Sequence, residues 1–254
     1  MVDLIDECGE DLANLGYESK SLGRFGATSC KLFVESKGKA EKLGFARGHY
    51  FVLNVPMLSS FFKEHRKILL EELKEKFEFL WKLHKIKKSA KVLFVGIGNP
   101  AIVSDSFGVK VVEKIEIFPF KKNNRRFKIS PNIFANTGIN SYDIIRVIVE
   151  AFDISVVVLF DSLATTNLKR LGSSIQLNDV GLTPGSALNN FGHAINKQTL
   201  NVPCFSIGVP MMISTKSFGE KNGVILTEKD VEEKVEFLSA VVADAVGGVA
   251  GVNL

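Results

Sequence analysis

Two carboxylates stand where an open α/β sheet places its chemistry. The apolar run Lys91-Val92-Leu93-Phe94-Val95 ends on Gly96-Ile97-Gly98-Asn99 and leads into Ser104-Asp105-Ser106-Phe107-Gly108, and a second run, Val156 to Phe160, ends on Asp161. Both runs have the continuous hydrophobicity of buried parallel strands, and crevices in such sheets open beyond the carboxyl ends of the strands. A carboxylate at such a junction is costly to bury unless something stabilises it. If the two are neighbours, like-charge repulsion raises one pKa, so that one acts as acid and the other as base and a water is activated against a peptide carbonyl. The competing reading is local: Asp105 caps the helix that opens near Phe107, and Asp161 accepts bonds from its own loop. In the catalytic reading Asn99 and the backbone around Gly98 and Ser162 shape the site. Gly181, Pro184, Gly185 and Pro210 set loop geometry.

Other chemistries fit less well. A dinucleotide fingerprint needs a third glycine opening a helix, where Ala101 and Ile102 stand. His49, His65, His84 and His193 are scattered, and neither a His-Glu-x-x-His motif nor a paired-cysteine motif occurs, so no metal and no cofactor is expected. There is no Gly-x-Ser-x-Gly elbow, and Cys204 falls in a predicted core strand rather than an electropositive turn.

The elements that must position the aspartates follow from the pattern. A chain of 254 residues, 46% hydrophobic and 24% charged, reads as one α/β domain, with residues 1–48 as an N-terminal segment packed on it. Strands are predicted over Tyr50 to Val55, Leu93 to Gly96, Val156 to Phe160, Ser173 to Leu177 and Cys204 to Val209, with a further one in an outer layer at Ser29 to Ser36. Helical spacing covers Ser60 to Leu83, Val109 to Ile115, Ser141 to Phe152 with Ser141 as N-cap, and a closing helix from Thr227 with a capping-type start. The basic run His84 to Lys91 reads as a solvated helix end, and Lys121 to Arg126 as an exposed loop. The expected fold is a three-layer α/β arrangement with a mostly parallel central sheet, a right-handed crossover and helices on both faces.

Charge and cysteine usage exclude several classes. The 32 basic residues are matched by 28 acidic ones, leaving no nucleic-acid footprint. Cys8, Cys30 and Cys204 are odd in number and far apart, as in a reduced cytoplasmic protein. The acidic N-terminus lacks the form of a signal peptide, and no apolar run is long enough for a membrane span.

The residues also carry a resemblance. Phe94-Val-Gly-Ile-Gly-Asn99 with Asp105 and Gly108, Thr137-Gly138 with Asp143, and Asp161-Ser-Leu-Ala164 are its first part. Arg170, Ser174-Ile-Gln176, Asp179, Gly181, Pro184-Gly-Ser186, Lys197, Thr199-Leu200, Val202-Pro203 and Ile207-Gly-Val-Pro210 complete it, with weaker support from Asp3-Leu4, Gly48-His-Tyr-Phe51 and the closing helix. In this order they resemble the spore germination protease family, atypical aspartic endopeptidases that degrade small acid-soluble spore proteins. The resemblance implies the fold of the hydrogenase-maturation endopeptidases, catalytic aspartates at Asp105 and Asp161, and a homotetramer made as a zymogen in the spore or forespore interior. This chain begins close to where mature members begin, so little propeptide is expected. It is shorter than typical members, through deletions after Pro210 and elsewhere.

Two departures alter the expected site. Thr166 stands where the family carries an arginine, and Asn189-Asn190-Phe191-Gly192 replaces a Gly-Asn-Lys-Arg stretch. Loss of these cations changes the field around the aspartates and the contacts to an acidic substrate. The rival reading is the hydrogenase-maturation endopeptidases themselves, which share the Gly-x-Gly-Asn start and bind nickel through a glutamate after the first aspartate; that position is Ser106 here. A third reading is a non-catalytic relative that binds a peptide or partner in the cleft.

Overall fold

The computed structural model describes residues 3–8, 12–56, 58, 62–117, 124–185, 192–214 and 225–250. Ser60, Lys121 to Asn123, Ser186 and Asn189 to Phe191, to which the sequence reading gave roles, lie outside these residues.

Nine strands form one sheet: β1 (Glu18–Ser21), β2 (Thr28–Val34), β3 (Gly48–Asn54), β4 (Val92–Gly96), β5 (Arg126–Ile129), β6 (Val156–Thr165), β7 (Ser174–Asn178), β8 (Cys204–Ser214) and β9 (Ile225–Leu226). Their order is β1-β2-β3-β7-β8-β6-β4-β5, with β9 on β8. The expected parallel centre is β5-β4-β6-β8. An antiparallel wing of β7, β3, β2 and β1 extends it. Thr28–Val34 therefore belongs to the main sheet rather than to an outer layer.

Alternation along the central strands assigns their two faces. Val92 and Phe94 of β4 and Val156, Val158 and Phe160 of β6 pack under helices α2 (Phe62–Leu83), α3 (Phe107–Lys114) and α7 (Val231–Val249). Leu93, Val95, Val157 and Leu159 pack under α5 (Ser141–Ala151), which follows the short α4 (Phe134–Thr137), and Leu200 of α6 (Lys197–Leu200). On the wing, Cys30, Leu32, Tyr50 and Val52 are covered by Ile5 and by Leu43 of α1 (Lys37–Leu43). The long helix is amphipathic as its spacing predicts: Leu69, Leu73, Phe77 and Leu80 are all buried, each burial contributing roughly 1.5–3 kcal/mol.

Several expectations change. Arg126 is not in an exposed loop; it opens β5 and is buried, with its guanidinium donating to the carbonyls of Gly247 (2.6 Å) and Glu116 (3.3 Å) and lying 6.0 Å from the Phe94 ring centroid. Ser141 is not an N-cap, because Asn140 takes that position without a side-chain cap and the Ser141 hydroxyl donates to Asn132. The closing helix starts at Val231, while Thr227 donates to the Met211 carbonyl instead of capping it. The three cysteines are free thiols. Among the described residues no helix is long and apolar enough to cross a membrane.

Candidate active site

The turn that carries Asp105 is seated against the strand ends by glycines. A Cβ added at Gly108 would lie 2.2 Å from the Phe160 carbonyl oxygen and 2.5 Å from that of Ile97, so only glycine lets the start of α3 press onto β4 and β6. Gly98, at φ 121°, adopts backbone that other residues rarely enter, and a Cβ there would meet the Asp105 carbonyl oxygen at 1.9 Å. Between them the chain makes a 3-10 turn, Val103–Asp105. Asp105 does not cap α3: its Oδ2 accepts the Asn99 backbone N–H at 2.8 Å, and the helix opens at Ser106 without a side-chain cap. The Asn99 side chain serves its own loop, its Oδ1 accepting from the Ala101 N–H at 3.0 Å.

Asp161 is inside β6 rather than beyond its end, because the strand continues to Thr165. It is paired with Gly208 of β8, but β4 stops one position earlier, at the Gly96–Phe160 pair. The carboxylate thus emerges where the neighbouring parallel strand has ended, and farther along the register shift between Leu163 and Ala164 leaves Met211 as an extra residue on β8. A parallel strand that outruns its neighbour looks, in sequence, like a strand followed by a loop. The Ser162 backbone N–H bonds the Asp161 carboxyl, while the buried Ser162 hydroxyl oxygen has no hydrogen-bond partner.

Asp105 and Asp161 line one cavity of about 1150 Å³, together with Gly98, Ser162, Gly181, Pro184 and Gly185 from the sequence reading. Asn99 stands behind it, and Pro210 lies on β8 opposite Leu163. Three more groups of lining residues were not anticipated. Asp3 contributes a third carboxylate; Gln176, Asn178 and Ser206 supply polar floor; and Phe45, Phe134, Tyr142, Leu182 and Met212 make the walls largely apolar. No lysine or arginine lines the cavity among the described residues, and His193 is its one histidine, exposed at the rim. Thr166 is not among the lining residues; its N–H and hydroxyl both donate to Glu7 Oε2 at 2.8 Å.

The two carboxylates differ in proton affinity. Burial raises Asp105 above the usual carboxylate range, with the Asn99 N–H opposing it. Asp161 is raised well above that range, first by burial and then by the negative charges of Asp105 and Asp3, with the Ser162 N–H opposing them. The mutual repulsion falls on Asp161 because it is the second to ionise. Of the two, Asp161 is raised further, so the arrangement favours a proton on Asp161 over one on Asp105. That is the distribution needed for a base and an acid acting on the same substrate.

A second cluster joins elements behind the cavity wall. Asp179 Oδ2 meets His84 Nε2 at 2.8 Å and His49 Nδ1 at 3.0 Å, and its Oδ1 accepts the His49 N–H at 2.6 Å. His84 is therefore part of a structural tie rather than a solvated helix end. Among the described residues no group of three or more His, Cys, Asp or Glu has the geometry to hold a metal ion.

Comparison with known proteins gives a consistent set of matches. Residues 20–228 match the family model described as "Germination protease". The germination protease of Clostridium tetani is 31% identical over 204 residues, covering 75% of this chain and 61% of the relative. That of Clostridium acetobutylicum is 27% identical over 219 residues, covering 81% and 67%. That of Geobacillus sp. (strain WCH70) is 31% identical over 193 residues, covering 70% and 50%. The chain thus spans about half to two thirds of the length of these relatives. Among solved structures, the [NiFe] hydrogenase maturation protease HycI from Thermococcus kodakarensis KOD1 aligns with 18% identity and a TM-score of 0.39, covering 62% of this chain and 92% of that one.

Proposed function

Because the chain belongs to the germination protease family, we propose that it is an endopeptidase that hydrolyses small acid-soluble spore proteins during germination through Asp105 and Asp161. The observation that carries this reading is the opening of both carboxylates into one cavity, Asp105 from the turn after β4 and Asp161 from the part of β6 that outruns β4.

In the proposed reaction the ionised Asp105 takes a proton from a water as its oxygen bonds to the scissile carbonyl carbon. Asp161 gives its proton to the carbonyl oxygen as the C=O π bond opens. Collapse of the tetrahedral adduct breaks the C–N bond, the amine leaves with the proton held by Asp105, and the hydroxyl proton returns to Asp161. The extended backbone of β6 past Asp161 and the apolar walls at Phe134, Tyr142 and Leu182 offer a peptide its binding surface. No step in this scheme uses a metal.

The same reading includes a homotetramer, derived from a zymogen, in the spore or forespore cytoplasm. Phe33 and Phe79 support self-association: both are about half exposed and flank the His49 ring, forming an aromatic surface of the kind subunit interfaces bury.

The test is cleavage of a purified small acid-soluble spore protein, with chelator present, by wild type and by the Asp105→Asn and Asp161→Asn variants. Discrete fragments from wild type, lost in both variants, are the expected result. Equal cleavage by the variants, or cleavage that requires added nickel, overturns the proposal. A folded wild type that binds the substrate without cutting it establishes the binding role instead.

A further inference from the structure

We propose that Phe134 is a specificity-determining residue of the active site: it rides on a lid, residues 132–140, that closes over the bound peptide and packs on a large apolar side chain near the scissile bond. This rests on the two-aspartate reading above.

The lid is held together by its own bonds. Helix α4 is a single turn without a buried residue, and it stands between two left-handed backbone positions, Asn132 at φ 66° and Gly138 at φ 69°. Asn132 Oδ1 accepts the Ile133 N–H at 2.8 Å and the Asn136 side-chain amide at 3.0 Å. The Gly138 N–H donates to the Phe134 carbonyl at 2.7 Å, and the Ile139 N–H donates to the Thr137 hydroxyl oxygen at 3.1 Å. Among the described residues, the hydrogen bonds of residues 133–139 all close within residues 132–139, and the Ser141 hydroxyl on the Asn132 carbonyl joins the unit to α5. A segment with few buried contacts and its bonds internal moves as a body about its ends.

Other apolar walls of the cavity are tied down. Tyr142 donates its hydroxyl to the Thr199 carbonyl at 3.2 Å, and Leu182 exchanges both backbone hydrogen bonds with Ile195, at 3.1 and 2.8 Å. Tyr50 holds the wall at Phe45 and Ala46 by donating to the Ala46 carbonyl at 2.8 Å. Phe134 differs, since it lines the same cavity yet is 59% exposed. The movable wall thus carries an aromatic ring that is still largely in water. Closure on a small or polar side chain leaves apolar surface wet, whereas closure on an aliphatic or aromatic one removes the surface of both partners, and the gain scales with the apolar area buried. The same closure shuts water away from the Asp105–Asp161 pair.

The test uses the full chain and probes that need no turnover. Capped peptides acetyl-Gly-Ala-X-Ala-Gly-amide, with X as Phe, Leu, Ala or Glu, are titrated by calorimetry into wild type, Phe134→Ala, Phe134→Leu and Ile139→Ala. Ile139 is the control, because it is 52% exposed on the same segment but is not among the lining residues. Hydrogen exchange across residues 133–139 is followed with and without the Phe peptide. Wild type is expected to bind the Phe and Leu peptides more tightly than the Ala and Glu peptides, and Phe134→Ala to lose about tenfold of that preference. Phe134→Leu is expected to restore most of it, Ile139→Ala to match wild type, and exchange across the lid to slow when the Phe peptide binds. Equal affinity of wild type for the four peptides, including binding of none, overturns the proposal. So does a preference that survives in Phe134→Ala, or lid exchange that a bound peptide leaves unchanged. Preferential binding without cleavage of a spore protein would refute the function proposed above and leave this subsite standing, while cleavage without the preference would do the reverse.

Discussion

At the scale of single residues, Asp161 is held at a cost. Its carboxyl binds a proton more tightly in the folded chain than at the ordinary value of 3.8, and burial is the largest cause. The linkage has a definite sign. Below the ordinary value the group is protonated whether the chain is folded or not, and the fold loses nothing. As pH rises through the higher folded value, the native state must accept a charge its surroundings resist, and stability falls. Asp161→Asn is therefore expected to melt at a higher temperature than wild type at pH 7, with the difference closing as pH is lowered to the ordinary carboxyl range. Calorimetry at the two pH values checks it, and a variant less stable than wild type at pH 7 would mean that the carboxylate is a stabilising group. Both aspartates were legible in sequence because each follows a buried apolar run, Asp161 directly and Asp105 after a glycine-rich turn. Asp3 was not assigned a role, because its partner Ala164 is 161 residues away and no local pattern reports such a pairing.

At the scale of elements, two junctions set the site. The first is the contact of α3 with the ends of β4 and β6 through Gly108. In Gly108→Ala a methyl group meets the backbone oxygens of Phe160 on β6 and of Ile97 just past β4, and overpacking of this kind costs roughly 1–3 kcal/mol. The helix must retreat and carry Asp105 with it. Urea denaturation is expected to show the loss of stability, and kcat is expected to fall although no catalytic group has changed; unaltered values would mean that α3 has slack at this contact. The second junction is Asp179, which joins β3 and the end of α2 to the loop after β7, where Gly181, Pro184 and Gly185 line the cavity. Burial pushes the Asp179 carboxyl up, but hydrogen bonds from His84 and from the His49 backbone and ring outweigh it and hold the group below the ordinary range. Its stabilisation is present above the ordinary value and is lost as pH falls through the lower folded value. Asp179→Ala is expected to lose about 1.5–3 kcal/mol at neutral pH, the usual worth of a hydrogen bond to a charged group, with the gap from wild type narrowing in acid. Equal unfolding midpoints at pH 7 would contradict this. The sequence revealed elements wherever hydrophobic periodicity was strong, as in α2 and β4, and missed β5, because its first residue is an arginine at the end of a basic cluster that satisfies its charge on the distant Gly247 carbonyl.

At the scale of the whole molecule, the parallel centre supplies the strand ends and the antiparallel wing encloses them. Phe45, Ala46 and Tyr50 from the wing share the cavity with Ile97 and Asp161 from the centre. The N-terminal segment crosses from one part to the other through Gln176 and Ala164. The central strands were readable from sequence because parallel strands buried on both faces leave continuous apolar runs. Two edge strands were missed, since β1 is exposed along its whole length and β9 has two residues, neither giving an alternation to detect. The cavity is a product of this assembly. The most direct test is the pH dependence of kcat/KM for peptide cleavage in wild type, Asp105→Asn and Asp161→Asn. A bell-shaped profile is expected for wild type, its acid limb reporting ionisation of Asp105 and its alkaline limb loss of the Asp161 proton, with each variant slower by about 10²–10⁴-fold across the range. Either variant cleaving at the wild-type rate with the bell intact would contradict the two-aspartate account.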